Sequence, residues 1–586
     1  MKKDSQKAPA KPNIFKILTP YRRMIFLLIF LALLSNGINL IIPRLISSGI
    51  DGYTHNTLVM KNLIFMFGAA ALLIFFFNYL QTIVQTYTSE KVARDMREKL
   101  SDRISRQSHV YVQETNPAKL LTNLTSDIDS IKMFVSQAIV SIASSIVIIV
   151  GASILLIMIN WKLALAVLMI IPIIGGAFFF VLKKVRPIFM KSRQVIDKLN
   201  KVINESILGA ALIRVLNSQQ PEYEKFIEAN GEARDLGMSI LRMFAGLIPV
   251  ITFVANLAML TILVLGGHFV INGSMTLGNF AAFNGYLSLL IFPILVIGFM
   301  SNVIAQASAS YGRIAETLNS PDTEDTGTIT TPLSGEIALE NVTLTYGEKP
   351  ALKKVSLEVQ PGSRTAIIGP TAAGKTQLLY LLTALIKPNE GQITFDNISI
   401  DDYNKEKFYS QVGFVFQDSI IFNMSIRENI AFSSTVTNEA LEKAIETAEL
   451  KNFIDSLPGQ LDAVVSERGT SLSGGQKQRI MLARALAINP AILLLDDFTA
   501  RVDSNTEKRI LNNLRKNYPG LTLVSVTQKI DAVKDYDQII LLMEGEVIAS
   551  GVHAKLMHTS PEYVQIYESQ KSTNVYEEPA LANRES

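Results

Sequence analysis

The run from Gly369 to Thr376 has the residue types and the surroundings of a phosphate-binding loop. It lies between an apolar segment, TAII, and an amphipathic segment, QLLYLL, which predict a strand before the loop and a helix after it. Backbone N–H groups at the start of that helix can hold phosphate oxygens, Lys375 can neutralise the outer phosphates, and the Thr376 hydroxyl can ligate Mg²⁺. The predicted nucleotide-binding residues of this loop are Gly369, Pro370, Thr371, Ala372, Ala373, Gly374, Lys375 and Thr376.

A second candidate lies at the end of the hydrophobic segment ILLLD, whose last residue is Asp496. A strand-end aspartate alone would mean little. Together with a phosphate-binding loop it predicts a metal site, in which Asp496 lies beside the magnesium, opposite the loop, and ligates it directly or through water.

A third motif, LSGGQKQR, decides among the families that share this kind of loop. It predicts the start of a helix, and its two glycines let the backbone approach a further phosphate. The predicted phosphate-contacting residues here are Ser473, Gly474, Gly475 and Gln476.

With these motifs in this order, the chain resembles the ATP-binding cassette superfamily, and the apolar segments ahead of them resemble its exporter half-transporters. The resemblance covers essentially the whole chain. It implies that Tyr346, in NVTLTYG, stacks on adenine, and that Gln417, in VFQDS, touches Mg²⁺ and senses the membrane domain. It also implies that residues 467–469 lie near the coupling helices. Taken singly, each of these could be an ordinary surface or strand-edge residue.

Two positions depart from the family, and both are catalytic. Asp497 replaces the glutamate that polarises the attacking water, and its carboxylate is withdrawn by more than about 1 Å, a misplacement that can cost on the order of 100-fold in rate. Gln528, in LVSVTQK, replaces the switch histidine; it can hydrogen-bond a γ-phosphate but cannot take a proton. Smaller departures are Ala372, where glycine is usual, and ARVD at 500–503 for SALD, with Asp503 retained.

These losses allow two interpretations. One is neutral drift around a working site. The other is division of labour, because in this family each ATP lies between one subunit's phosphate loop and the other subunit's signature. A chain with poor catalytic residues and an intact LSGGQ would hydrolyse ATP slowly at its own loop and complete a competent site on its partner. That arrangement resembles the heterodimeric exporters with one degenerate site.

Six apolar segments precede these motifs, and none contains an acidic or basic side chain. Each is about as long as the roughly 20 residues that cross a bilayer core. Between Met243 and Gly312 there is no Asp, Glu, Lys or Arg at all, which argues against the buried helices of a soluble protein. The predicted membrane spans are approximately 24–42, 63–84, 139–159, 163–182, 247–270 and 280–304.

The distribution of Lys and Arg predicts the orientation of these spans, because basic loops resist translocation. Residues 1–23, 85–138 and 183–246 carry 7, 8 and 11 of them, whereas the three alternate connections carry 2, 1 and 0. We therefore expect a multi-pass protein of the cell membrane whose termini, long connections and nucleotide-binding domain are cytoplasmic. The first span has no small-residue cleavage site after it and reads as retained.

The long connections carry mixed charges at helical spacing, so they predict helices that continue into the cytoplasm and act as levers on the cytoplasmic domain, or serve as plain extensions. A Thr-, Ser- and Pro-rich stretch then predicts a linker. The expected fold is an α-helical membrane domain fused to a cytoplasmic α/β P-loop ATPase domain. The expected boundaries are 1–315 for the transmembrane domain, 316–335 for the linker, 336–572 for the nucleotide-binding domain and 573–586 for a tail.

Composition excludes several other classes. Among 586 residues there is no cysteine, which excludes disulfide scaffolds, thiol enzymes and Cys-ligated metal sites. The net charge of +3 gives no indication of a nucleic-acid partner.

The function these observations favour is ATP-driven export of amphipathic or lipophilic compounds, with drugs or lipids as the substrate class that the resemblance implies. The expected cofactors are ATP and Mg²⁺, and the expected partners are the lipid bilayer and a second half-transporter subunit. Two alternatives remain: a slow homodimeric exporter, and an ATP-gated channel or regulatory ATP-binding membrane subunit.

Overall fold

The computed structural model describes residues 14–56, 59–321, 327–347, 349–466 and 469–582. The chain divides into two compact units. The first comprises the described residues of 1–106 and 115–321, and the second those of 107–114 and 322–586.

Six long helices build the first unit, and each of the six apolar segments lies within one of them. They are 41 to 53 residues long, so each extends roughly 60–80 Å, well beyond a hydrocarbon core of about 30 Å. With short helices at two connections, the elements are α1 (Ile14–Thr54), α2 (Met60–Ser105), α3 (His109–Thr115), α4 (Pro117–Ile159), α5 (Trp161–Leu208), α6 (Ala210–Val215), α7 (Gln219–Ile271) and α8 (Leu277–Leu318).

The outer surface of this helical unit is strongly apolar. Phe65, Phe75 and Phe292 are 76%, 70% and 72% exposed. Leaving a phenylalanine side chain in water forgoes about 1.5–3 kcal/mol relative to burial, so a surface of this kind requires lipid around it.

Away from the apolar spans, α4 and α8 are joined by polar side chains at helical spacing. Asp127 is only 2% exposed and accepts a hydrogen bond from Nε of Arg313 at 3.0 Å. One turn away along both helices, Nδ2 of Asn123 donates to the Thr317 hydroxyl at 3.0 Å. A buried carboxylate without its partner would be costly, so the pair fixes the register of these two helices.

Residues 107–114 belong to the second unit although they connect two helices of the first. The His109 ring lies edge-on to Tyr380 with 5.3 Å between centroids, and Val110 packs against an apolar cluster of the second unit. Partly buried residues of the 107–114 segment therefore pack against the apolar core of the second unit.

Two sheets organise the second unit. A four-stranded antiparallel sheet has the order β2-β1-β4-β5, and a six-stranded, mostly parallel sheet has the order β10-β9-β3-β8-β7-β6. The strands are β1 (Ile337–Tyr346), β2 (Lys349–Val359), β3 (Arg364–Ile368), β4 (Glu390–Phe395), β5 (Ile398–Ser399), β6 (Val412–Val415), β7 (Ile492–Asp496), β8 (Thr522–Val526), β9 (Gln538–Met543) and β10 (Glu546–Gly551).

Helices cover this sheet and bury β7 and β8 along their whole length. Near-continuous apolar runs such as ILLL are what a parallel strand covered on both faces requires. The helices are α9 (Lys375–Leu382), α10 (Lys405–Tyr409), α11 (Ile426–Ile430), α12 (Asn438–Thr447), α13 (Lys451–Asp455), α14 (Gly474–Ala487), α15 (Ser504–Asn517), α16 (His553–Thr559) and α17 (Pro561–Ala582). The predicted fold class, apolar transmembrane helices fused to an α/β nucleotide-binding domain, is confirmed.

Candidate functional site

Strand register brings three loops that carry predicted site residues to one edge of the parallel sheet. Ile367 of β3 pairs with Val526 of β8, and Val526 pairs with Asp496 of β7. The loops that follow these residues open on a cleft of about 700 Å³. Of the residues predicted from the sequence, the cleft is lined by Thr371, Ala372, Ala373, Gly374, Lys375, Thr376, Gln417, Asp496, Asp497 and Gln528.

Two glycines allow the phosphate loop to follow its path. Gly374 has a φ of +98°, and a Cβ on it would lie 2.7 Å from the carbonyl oxygen of Ala351. A Cβ on Gly369 would overlap the carbonyl oxygen of Leu542. Helix α9 then begins at Lys375, and the N–H groups of its first turn have no intrahelical acceptor, which suits them to bind phosphate oxygens.

Ala372 also adopts a left-handed conformation, with a φ of +66°. For a residue with a Cβ this conformation costs about 1–2 kcal/mol relative to glycine. The departure at position 372 is therefore small in volume, but it places backbone strain in the loop.

Lys375 is held at the base of the loop. It is 9% exposed, and its Nζ donates hydrogen bonds to the carbonyl oxygens of Gly369 and Pro370 at 2.8 and 2.7 Å. Burial lowers the pKa of Lys375, although the nearby Asp497 and Asp496 act in the opposite direction. Phosphate groups in the cleft would stabilise the charged ammonium further.

Asp496 and Thr376 fit a magnesium site. Asp496 is 2% exposed and accepts a hydrogen bond from the Thr376 hydroxyl, and its Oδ2 is buried with no hydrogen-bond partner among the described residues. Burial raises the pKa of Asp496, with a smaller contribution from the charge of Asp497. Gln417, on the same cleft, adds an amide oxygen. Magnesium takes one or two such protein ligands together with substrate phosphates, so this donor set suits it.

Asp497 follows β7 in a left-handed conformation, with a φ of +48°. Aspartate tolerates this region better than most residues, and the Asp497 N–H donates to the Val526 carbonyl at 2.9 Å. Burial raises the pKa of Asp497, while Lys375 and Lys529 lower it. The carboxylate thus lies in the cleft, on a backbone that is tied to the neighbouring strand.

Gln528 is exposed to the cleft in the loop after β8. The preceding residue, Thr527, is buried and donates its N–H to the carbonyl of Ile367 at 3.2 Å. The side chain that replaces the switch histidine therefore extends from a loop that is fixed to β3.

Tyr346 ends β1 and is 49% exposed. Its hydroxyl donates to Oε1 of Gln377 at 2.7 Å, and it pairs with Lys349, which lines the cleft. Burial raises the pKa of Tyr346. Tyr346 itself does not line the cleft, but its aromatic ring lies next to it and is available for stacking.

The signature residues do not reach this cleft. None of Ser473, Gly474, Gly475 and Gln476 lines it. They begin α14, where Ser473 and Gln476 form a reciprocal capping box: the Gln476 N–H donates to the Ser473 hydroxyl at 3.2 Å, and the Ser473 N–H donates to Oε1 of Gln476 at 2.8 Å. Within this chain, the two predicted phosphate-binding elements therefore lie in different places.

Several residues at or near the site were assigned no role from the sequence. Gln478 is 1% exposed and its Nε2 donates to the carbonyl of Gln417 at 3.2 Å, which ties the signature helix to the glutamine loop. Asp503 caps α15 by accepting from the Thr506 N–H at 2.9 Å. Residues 467–468, expected near the coupling helices, lie outside the described part of the chain. Further cleft-lining residues are Lys349, Pro350, Ala351, Lys353, Gln377, Val526, Thr527 and Glu544.

The strain at position 372 gives a testable prediction. Ala372→Gly relieves the left-handed strain and should raise the free energy of unfolding by about 1 kcal/mol, or raise the melting temperature by about 2–4 °C. Ala373→Gly is the matched control: Ala373 is 2% exposed and is not left-handed, so this variant should lower the melting temperature. Thermal unfolding of the purified full-length chain measures both, and equal destabilisation by the two changes would contradict the account.

Comparisons with known proteins agree with this geometry. The family model for the ABC transporter transmembrane region matches residues 25–294, and the ABC transporter model matches residues 352–500. The structure resembles that of a bacterial Atm1-family ABC exporter with ATP bound, with a TM-score of 0.76 and 23% identity, over 94% of this chain and 99% of that one.

Two relatives match most of the chain. "Multidrug resistance-like ATP-binding protein MdlA" of Buchnera aphidicola subsp. Schizaphis graminum is 30% identical over 86% of this chain and 87% of its own length. "Uncharacterized ABC transporter ATP-binding protein YfiB" of Bacillus subtilis is 31% identical over 94% of this chain and 97% of its own length. The chain therefore belongs to the ABC transporter family, as an exporter half-transporter that joins one transmembrane region to one ATP-hydrolysing domain.

Proposed function

We propose that this chain is the degenerate-site half of a heterodimeric exporter of amphipathic or lipophilic compounds. The observation that carries the proposal is the position of the two departures. Asp497 and Gln528 lie in the same cleft as Lys375, whereas the intact signature lies outside that cleft. The losses therefore affect one composite ATP site, and the retained motif serves the other.

At this chain's own loop, the binding groups are retained and the catalytic groups are weakened. Thr376 and Asp496, with Gln417 beside them, would hold Mg²⁺, which when bound offsets the negative charge of the phosphates. Asp497 is one methylene too short to reach the usual position of the water-polarising carboxylate, and Gln528 cannot accept a proton. We therefore expect ATP to bind here and to be hydrolysed slowly.

At the partner's loop, this chain would supply the signature. The capping box engages the side chains of Ser473 and Gln476 and also the Gln476 N–H, and it leaves the N–H groups of Gly474 and Gly475 without intrahelical acceptors. Those N–H groups, at the positive end of a helix dipole, suit a phosphate that another subunit presents.

Coupling to transport would run through the cytoplasmic extensions. The packing of residues 107–114 within the second unit supports their role as a lever, since any motion of that unit must carry this segment with it. ATP-driven association and release of two such units would then expose the substrate site of the membrane domain to the two sides of the membrane in turn.

The excess of Lys and Arg in alternate connections supports a location in the cell membrane, with the termini and the nucleotide-binding domain on the cytoplasmic side. We keep the domain boundaries at 1–315, 316–335, 336–572 and 573–586.

The relatives support the cargo class only broadly. MdlA carries the description "multidrug resistance-like", and the membrane spans of this chain contain no acidic residue to mark a cation site. The slow homodimeric exporter remains the nearest alternative. An ATP-gated channel or regulatory subunit is the second, and ion current gated by ATP would favour it.

Assembly tests the proposal. Because both catalytic losses fall on one side of the composite site, a second and related chain must supply a competent catalytic carboxylate and switch residue. The chain, tagged and expressed with each related half-transporter chain that its source genome encodes, should co-purify with one of them in equal amounts and should be much less active in ATP hydrolysis when expressed alone. Recovery of a fully active homodimer would refute the heterodimer.

Two substitutions separate the roles of the two ATP sites. Lys375→Ala should weaken nucleotide retention at this chain's own loop and reduce the steady-state ATPase of the heterodimer only a few-fold, since that site is already slow. Gly475→Asp should reduce it about 100-fold or more, because a negative side chain at the signature opposes the γ-phosphate of the competent site.

The control for this pair is Lys353→Ala, which removes another lysine from the same cleft, one paired with Glu546 at 3.3 Å. It should leave turnover nearly unchanged. If Lys375→Ala reduces the steady-state ATPase more than Gly475→Asp does, ATP is hydrolysed mainly at this chain's own loop and the degenerate-site assignment is wrong.

A further inference from the structure

A glutamine of the C-terminal helix forms two hydrogen bonds with the loop that carries Gln528. Gln570, on α17, accepts a hydrogen bond from the Ile530 N–H through its Oε1 at 3.0 Å. Its Nε2 donates to the carbonyl oxygen of Gln528 at 2.6 Å. One side-chain amide therefore holds the backbone on both sides of residue 529.

The assignment of the amide oxygen and nitrogen follows from the partners themselves. A backbone N–H can only donate and a carbonyl oxygen can only accept, so only one orientation of the Gln570 amide satisfies both. The donor and acceptor pattern of this loop matches an amide and would not be met in full by a carboxylate or an ammonium group.

Helix α17 is itself fixed by packing in the second unit, so the position of Gln570 relative to the loop is also fixed. Tyr563 has no exposed surface and packs in the core of the second unit, and its hydroxyl lies 2.7 Å from Nδ1 of His553. The Tyr567 ring lies 5.1 Å from the His553 ring. Positions 563, 567 and 570 share one helix face, so the contacts that fix α17 also direct Gln570 at the loop.

The opposite end of the same loop is tied to the catalytic edge of the sheet. Thr527 is bonded to Ile367 of β3, and the Lys529 N–H donates to the Thr527 hydroxyl at 3.1 Å. Gln528 thus extends into the cleft from a backbone fixed by β3 on one side and by α17 on the other. The direction in which its side chain leaves the backbone depends on both attachments.

We propose that Gln570 is a positioning residue for Gln528, through which the C-terminal helix controls how well this site distinguishes ATP from ADP. The proposal rests on the proposed function and on the expectation from the sequence that the Gln528 amide hydrogen-bonds the γ-phosphate. Gln570 reaches only the backbone of the loop. Its loss should therefore weaken the interaction with the γ-phosphate and leave the contacts with the other phosphates intact.

The test compares the binding of Mg²⁺–AMP-PNP, a non-hydrolysable ATP analogue, with that of Mg²⁺–ADP. Calorimetry on the full-length chain in lipid nanodiscs gives both affinities. Gln528→Ala should reduce the AMP-PNP to ADP affinity ratio about 10-fold, the usual effect of losing a hydrogen bond to a charged group. Gln570→Ala should reduce it about 3-fold with ADP affinity unchanged. A general loosening of the fold would instead lower both affinities.

Three further variants sharpen the result. Gln565→Ala, an exposed glutamine on the same helix, should leave the ratio unchanged. Gln570→Glu keeps the acceptor for the Ile530 N–H but loses the donor to the Gln528 carbonyl, so it should reduce the ratio at least as much as Gln570→Ala. In the double variant with Gln528→Ala, Gln570→Ala should cause no additional loss, because there is no amide left to position.

The outcomes distinguish the γ-phosphate contact of Gln528 from the positioning role of Gln570. If Gln528→Ala leaves the ratio unchanged, the γ-phosphate contact of the proposed function fails. If Gln528→Ala lowers the ratio but Gln570→Ala does not, or if Gln570→Ala lowers both affinities equally, the positioning role fails and the contact stands.

Discussion

The parallel pairing of three buried strands is the constraint on which the nucleotide site depends. Ile367, Val526 and Asp496 occupy one row across β3, β8 and β7. The phosphate loop and the loops that carry Asp497 and Gln528 therefore all start from the same edge of the sheet. A shift of one residue in this register would turn the side chains of a strand to the other face and separate Asp496 from Thr376. The complete burial of β7 and β8 fixes the register, because an offset would place polar groups in an apolar core.

The two catalytic departures change the chemistry of this edge while its architecture is retained. Asp497 suits the left-handed conformation at the end of β7, and Lys375, Thr376 and Asp496 keep the geometry of a phosphate and magnesium site. Gln528 keeps a hydrogen-bonding group where the family has a titrating one. Under the proposed function, such a site binds ATP but hydrolyses it slowly, while the signature sequence on a separate helix is intact.

The sequence was sufficient for the fold class and for ten of the residues that line the cleft, because short motifs with fixed spacing report local backbone geometry directly. It could not reveal Gln478 or Gln570, which are single polar residues whose partners lie 61 and 42 positions away. It also gave no sign that residues 107–114 pack in the second unit. The left-handed conformation of Ala372 could not be predicted for another reason, since an alanine in a sequence does not indicate a positive φ as a glycine does.

The most direct test of the division of labour is to identify the chain at whose phosphate loop ATP is hydrolysed. Vanadate replaces the departing γ-phosphate and traps ADP only at a site that has completed hydrolysis. Co-purified heterodimer would be incubated with Mg²⁺, vanadate and an α-labelled photoreactive ATP, then irradiated, and the two chains would be separated. If this chain holds the slow site, trapped label appears on the partner chain, and this chain is labelled only when ATP binds without hydrolysis. Vanadate-dependent label on this chain would contradict the division of labour.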